Sequence, residues 1–301
     1  MRIGFIGLGT MGLPMIENLA NQPDFELLAF DPSDTPFSAL AGHKAWATRL
    51  CRADALGDLS GCDLIITMLP NSRITNAVMR GEEGRPGLAQ ILRPGARILD
   101  MGSSDPGSTM KLAQELAAKG ISLTDAPVSG AVTKARTGEL SIMVGTDAEG
   151  LETLRPVLSA MGRVLIPTGA VGSAHAMKAL NNYVYAAGLL AASEALGIAA
   201  RMGLDLAVLS DVLNASSGRN VATETKLRQF ILPGSYNGGF ALRLQAKDLA
   251  TADGLQALSG FDAPQLTLCA GLWAEAVQQL PADADNTEIH RFLTARPGKS
   301  D

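Results

Sequence analysis

Aromatic side chains make up only 4% of this 301-residue chain and charged ones only 18%. The net charge is -5 and no cluster of lysine and arginine occurs anywhere, which argues against a nucleic-acid partner. Cysteine is scarce too. Cys51, Cys62 and Cys269 are scattered, odd in number and without ligand spacing, so neither a disulfide framework nor a metal centre is expected. A reduced, cytoplasmic protein is the simplest reading. Long hydrophobic runs are also missing. Ala179–Ser193 is uncharged but covers only 15 residues and carries Asn181 and Asn182, which predicts a buried helix and no membrane span. The apolar run Ile3–Ile6 is cut at once by Gly7, Gly9 and Gly12, which is unlike a signal peptide.

What the chain does have is apolar material, 47% of its residues, and 32 glycines. The first half alternates short apolar runs with helical patterns. Strands are expected at Arg2–Ile6, Glu26–Phe30, Leu64–Leu69, Arg97–Asp100, Ser122–Asp125, Ser141–Val144 and Val164–Ile166, with helices such as Met11–Ala20 and Ser108–Lys119 among them. That alternation predicts an α/β domain with a mainly parallel sheet. After Pro167 the strand signals stop. Met177–Met202, Leu206–Ser216, Asn220–Phe230, Ala241–Leu258 and Pro264–Gln279 all read as helices. The expected organisation is therefore an α/β domain over 1–166, an all-α domain over 167–294 and a tail over 295–301.

Arg2–Gly12 reads as a strand, then Gly7-Leu8-Gly9-Thr10-Met11-Gly12, then a helix. This is the dinucleotide-binding pattern in its proper context. Gly7 permits a tight turn, Gly9 lets a pyrophosphate approach the backbone, and Gly12 lets helix and strand pack closely. The helix N-terminus offers free N–H groups to phosphate. Asp31 ends the second strand, where a carboxylate accepts from a ribose 2′-hydroxyl and repels a 2′-phosphate; no arginine follows in Pro32–Thr35. NAD is expected in preference to NADP.

From Leu165 to Leu204 the only formal charges are Lys178, Glu194 and Arg201. Buried lysines are rare, and burial suits a lysine to proton transfer near neutral pH. Asn182 stands one helical turn beyond Lys178 and shares its face, and His175 stands three residues before. A lysine that merely extends from an apolar helix is the competing reading. Three more segments could complete a site: Thr67–Asn71 at a strand end, Asp125–Ala131 with a serine and a glycine, and Leu244–Leu249 with Lys247 beside Asp248.

Taken together, these segments resemble the β-hydroxyacid dehydrogenase family over nearly the whole chain. The motifs are Gly4–Met15, Asp125–Gly130, Gly169 through Lys178 to Asn182, and Lys247–Leu249. The resemblance implies an N-terminal Rossmann domain, a helical C-terminal domain and a homodimer or homotetramer. It implies that Lys178 is the catalytic acid and base, that Ser129, Gly130 and Ala131 lie with Asn182 at the substrate, and that Lys247 contacts the cofactor. Leu69, Pro70 and Ser103 fall where relatives line the nicotinamide ribose. The chain departs from the usual pattern at Ala131 and Ala174, where relatives carry glycine, and at Gly102-Ser103, where they carry Ser-Thr. The implied activity is NAD-dependent oxidation of the 3-hydroxyl of a short 3-hydroxycarboxylate. Reduction of small semialdehydes or glyoxylate is the runner-up. Imine reduction is disfavoured by the retained lysine. A non-catalytic dinucleotide-binding scaffold is the alternative of another class.

Overall fold

The computed structural model describes residues 1–82 and 84–296. The expected tail over 295–301 therefore lies, beyond Arg296, outside the described residues. The chain divides into two compact units, Met1–Lys178 and the residues from Ala179 onward.

In the first unit, six parallel strands form one sheet. Their order is Leu50–Arg52, Glu26–Phe30, Arg2–Ile6, Leu64–Thr67, Arg97–Asp100, Ser122–Asp125. Ile3, Phe5, Leu64, Ile66 and Leu99 are essentially buried, as strands covered on both faces require. Each such side chain contributes roughly 1.5–3 kcal/mol on burial. The order reverses beside Arg2–Ile6, so the loops leaving Arg2–Ile6 and Leu64–Thr67 flank the crevice where α/β sheets bind ligands. Of the expected strands, Leu64–Leu69 ends early at Thr67, and Ser141–Val144 and Val164–Ile166 are longer, at Leu140–Val144 and Gly162–Pro167. The three-residue edge strand Leu50–Arg52 is too short to show alternation.

A second sheet in the same unit joins Val128–Ser129, Leu140–Val144 and Gly162–Pro167. Gly162–Pro167 is its edge and leaves Val164 and Ile166 exposed between Arg163 and Pro167. Among the described residues, no strand element follows Pro167.

The long helix runs from Ser173 to Arg201, 29 residues or about 43 Å at 1.5 Å per residue. It begins four residues before the expected Met177, and the division between units falls inside it, after Lys178. By length and composition it could cross a membrane. Its make-up is that of a core helix with one open face. Ala186, Leu189, Ala192 and Leu196 are buried in one cluster with Leu249 and Trp273, while Val184 and Ile198 are exposed. The expected buried helix is therefore only half buried.

The second unit continues with Leu206–Ala215, a π-helix over Thr223–Ile231, Leu242–Ser259, Pro264–Gln279 and Ile289–Ala295.

Candidate active site

The glycine loop leaves the first strand with Gly7 at φ +98, a conformation favouring glycine, and Gly7 N–H donates to the Phe30 carbonyl at 3.0 Å. A Cβ on Gly7 would stand 2.4 Å from the Met68 carbonyl oxygen, and one on Gly12 would stand 1.9 Å from that of Gly7. Both contacts forbid a side chain. Gly9 differs: a Cβ there meets nothing within 4 Å, and Gly9 and Thr10 are exposed. Two glycines hold the turn shut and the third keeps open the surface where a phosphate would lie. Leu8 is buried below, and Met11 precedes the helix Gly12–Ala20. The loop fits a dinucleotide.

Asp31 completes this arrangement. Its Oδ2 accepts the Leu8 N–H at 2.7 Å and its Oδ1 accepts the Ser33 N–H at 2.8 Å. The carboxylate thus braces the glycine loop, and each oxygen keeps a second acceptor site for a hydroxyl. An arginine does lie on the neighbouring strand, out of reach of a local sequence reading. Arg52 pairs with Asp34 at 2.7 Å and Asp54 at 3.3 Å and lies 4.5 Å over the Phe37 ring.

The next strand ends bring the remaining cofactor candidates of this unit alongside. A Cβ on Gly7 would also come within 3.1 Å of Leu69, and one on Gly102 would lie 2.6 Å from the Leu69 carbonyl oxygen. The Gly7, Leu69-Pro70 and Gly102-Ser103 turns are therefore packed against one another. Beneath them, buried Asp100 accepts from Thr67 at 2.9 Å, Gly102 N–H at 3.2 Å and Ser104 at 2.7 Å.

Asp125, fully buried at the end of its strand, ties together two further segments. Its Oδ1 accepts the Gly172 N–H at 2.7 Å and its Oδ2 the His175 N–H at 2.9 Å. It thereby caps the long helix, whose first N–H groups lack partners within the helix. Asp125 also opens the segment that carries Ser129 and Gly130. That segment pairs with the next strand, Ser129 opposite Ser141, and turns through Gly130 at φ +139 and Ala131 at φ +56. Ala131 thus holds a backbone conformation that favours glycine.

Lys178 lies on the second turn of this helix. It is half-buried, not buried, because its neighbours Met177 and Leu180 point outward and are 48% and 44% exposed. His175 is buried beside Asp125 and Thr109. Ala174 is fully buried in the first turn.

In the second unit, Asn182 is buried and its Nδ2 donates to Asp248 Oδ2. Its Oδ1 accepts from Asn181 at 3.1 Å, and its carbonyl accepts from Gln245 at 3.2 Å. Lys247 pairs with Asp248 at 3.0 Å, so one buried carboxylate orients both Asn182 and Lys247. Asp125 opens one of the candidate segments, but its tie to the long helix, like the parts played by Asp100 and Thr109, has no signal in the sequence. No group of three or more potential metal ligands occurs among the described residues.

Residues 2–172 match the NAD binding domain of 6-phosphogluconate dehydrogenase, and residues 172–293 match the NAD-binding domain of NADP-dependent 3-hydroxyisobutyrate dehydrogenase. The chain is 38% identical to 2-(hydroxymethyl)glutarate dehydrogenase of Eubacterium barkeri, over 84% of this chain and 81% of that one. It is 32% identical to the NAD-dependent L-serine dehydrogenase of Pseudomonas aeruginosa, over 99% of both chains. Among solved structures, Mycobacterium tuberculosis 3-hydroxyisobutyrate dehydrogenase with L-serine is similar at a TM-score of 0.87. It shares 28% identity, with 98% of this chain and 99% of that one covered.

Proposed function

The chain belongs to the β-hydroxyacid dehydrogenase family, and from that premise we propose that it oxidises the hydroxymethyl group of a 2-substituted 3-hydroxypropionate with NAD. The relatives' names share one chemical unit. Hydroxymethylglutarate, serine and hydroxyisobutyrate each carry a CH₂OH on the carbon beside a carboxylate and differ in the third substituent.

A bound dinucleotide supplies the hydride acceptor. The chain's own residues do the rest. Ser129 and the Gly130–Ala131 backbone hold the substrate carboxylate, and Asn182 orients the substrate. Lys178 takes the hydroxyl proton as the carbonyl forms; in the reducing direction its ammonium returns that proton to the developing alkoxide. Gly7–Gly12 hold the pyrophosphate, Asp31 the adenosine ribose, and Leu69, Pro70 and Ser103 the nicotinamide ribose, while Lys247 contacts the cofactor. NAD is favoured over NADP because Asp31 would face a 2′-phosphate and Arg52 is already engaged by Asp34 and Asp54.

The observation that carries this reading is the tie made by Asp125. It joins the Ser129–Gly130 segment to the helix of Lys178 within the unit that also holds the glycine loop. The three free thiols suit a reduced, cytoplasmic setting; burial pushes Cys62 and Cys269 up to about 11. Exposed Val184 and Ile198 on the long helix, with Met202 just beyond its end, support a homo-oligomer.

The test is NAD reduction, followed by the absorbance of the reduced nicotinamide. The panel is 3-hydroxyisobutyrate, L-serine, 2-(hydroxymethyl)glutarate, 3-hydroxypropionate, glycerate and threonate. Turnover of one or more of 3-hydroxyisobutyrate, L-serine, 2-(hydroxymethyl)glutarate and glycerate is expected. Binding of NADH without turnover of any would replace this reading by the scaffold alternative.

A further inference from the structure

The helix Leu242–Ser259 begins without a cap of its own: Ala241 stands at its N-cap and has no side chain that can accept. The first N–H groups of a helix need partners from elsewhere, and here a neighbouring segment supplies one. Leu242 N–H donates to the Ala284 carbonyl at 2.8 Å, and Asn286 N–H donates back to the Phe240 carbonyl at 2.7 Å. Between these two bonds Ala241 stands opposite Asp285 in an antiparallel bridge.

Asp285 carries that grip further back along the chain. Its Oδ2 accepts the Gly239 N–H at 2.7 Å and the Phe240 N–H at 3.0 Å, and its Oδ1 accepts the Thr287 N–H at 3.0 Å. From the π-helix Thr223–Ile231, Lys226 Nζ donates to the Gly238 carbonyl at 2.9 Å. Backbone N–H groups only donate and carbonyls only accept, so the groups themselves settle the direction of each bond. The two side chains close on one point. A Cβ on Gly238 would stand 3.1 Å from Asp285 Oδ1 and 3.1 Å from Lys226 Nζ. Burial holds Lys226 below the usual lysine range, with Asp285 acting in the opposite sense.

Within the first two turns of this helix, Gln245 donates to the Asn182 carbonyl at 3.2 Å, and Asp248 accepts from the Asn182 amide. Gln245, Asp248 and Asn182 are all buried, so a displaced helix start is passed on to them through close packing. We propose that Lys226 and Asp285 are positioning residues. They grip Gly238–Phe240 from two sides, fix where the helix Leu242–Ser259 begins, and thereby hold the Asn182 amide in place. This rests on the role of Asn182 proposed above.

Two measurements test it. Asp285→Ala removes the acceptor of three backbone N–H groups, while Lys226→Met removes one donor and keeps the half-buried stem. The second variant serves if the first fails to fold. In either, amide exchange over Gly239–Gln245 should quicken by about tenfold, the scale of one lost hydrogen bond, with the helix Pro264–Gln279 within about twofold of wild type. Unchanged exchange at Gly239–Gln245 overturns the inference, and this readout needs no turnover. With a substrate that wild type oxidises, kcat/KM should fall by about 10- to 100-fold in either variant, the cost of a small misplacement. Lys226→Arg keeps a donor and should stay within about threefold of wild type. In an Asn182→Ala background the same two changes should cost no more than about threefold further, because the group they position is gone. Equal costs in both backgrounds would mark a purely structural role and overturn the inference. If wild type turns over none of the panel, the proposed function has failed instead, and exchange alone decides whether the grip exists.

Discussion

Asp125 and His175, 50 residues apart in sequence, are joined by a backbone N–H donated to a buried carboxylate at 2.9 Å. The cap of the long helix thus comes from the end of a sheet strand and not from a residue preceding the helix. Asp125→Asn leaves one oxygen where two accept backbone N–H groups, and an unsatisfied buried donor costs about 1–3 kcal/mol. Asp125→Asn should unfold at lower denaturant than wild type by that amount. It should also lose turnover with any active substrate. An unchanged urea midpoint would show that the helix start is held by something else.

Lys178→Ala should lower kcat by about 10²- to 10⁴-fold, the range for loss of a positioned acid or base. The affinity for NADH, read by nucleotide fluorescence, should stay the same. Turnover near the wild-type rate would remove Lys178 from the chemistry.

Asp31 braces Leu8 and, in the proposed function, faces the ribose, and the two roles respond differently to substitution. Asp31→Asn removes the charge and leaves one oxygen where two accept backbone N–H groups, so it should narrow the preference for NAD over NADP and lose part of the NADH affinity. Asp31→Ala removes the brace as well and should weaken NADH on the order of tenfold, the worth of one or two hydrogen bonds. Coenzyme titrations of both variants check this.

Ala131 sits at φ +56, where an L-residue costs about 1–2 kcal/mol over the right-handed region. Ala131→Gly removes that cost but adds freedom to the unfolded chain. A net gain of about 0.5–1 kcal/mol in unfolding free energy is expected. In the proposed site the same change enlarges the substrate end of the loop, so the ratio of kcat/KM between serine and hydroxymethylglutarate should move with it.

His290 is held below its ordinary value of 6.5 by burial, and its Nδ1 lies 3.0 Å from the Tyr236 hydroxyl. The unfolded chain therefore takes up this proton first as pH falls. The stability His290 contributes is complete above about pH 6.5 and declines as pH drops through the lower folded value. His290→Gln cannot titrate, so its urea midpoint should fall less than that of wild type between about pH 7.5 and 5.5.

Much of this architecture was legible in the residues. Arg2–Ile6, Glu26–Phe30 and Arg97–Asp100 stand where their apolar runs put them, because the middle of a parallel strand covered on both faces is apolar. The glycine loop was legible because its spacing encodes close contacts. The start of the long helix was not: Ser173 gives no capping signal, since the acceptor comes from Asp125. From the sequence His175 reads as a helix-start or core histidine near Lys178, because Asp100 and Asp125 lie on strands distant in sequence. The exposure of Lys178 was misjudged for a related reason. A charge-free stretch tells how apolar a helix is, but not which of its faces is covered.

The edge strand Gly162–Pro167 bears on how the protein behaves at high concentration. Its outer rim presents Val164 and Ile166 with one row of main-chain groups turned away from the sheet. Such rims recruit other chains into continuous sheets unless something interrupts them. Arg163 and Pro167 flank the two apolar residues, one repelling a second copy of the same rim and the other lacking an N–H to offer it. Neutralising Arg163 would therefore shorten shelf life before it altered the fold, and turbidity on storage would reveal it.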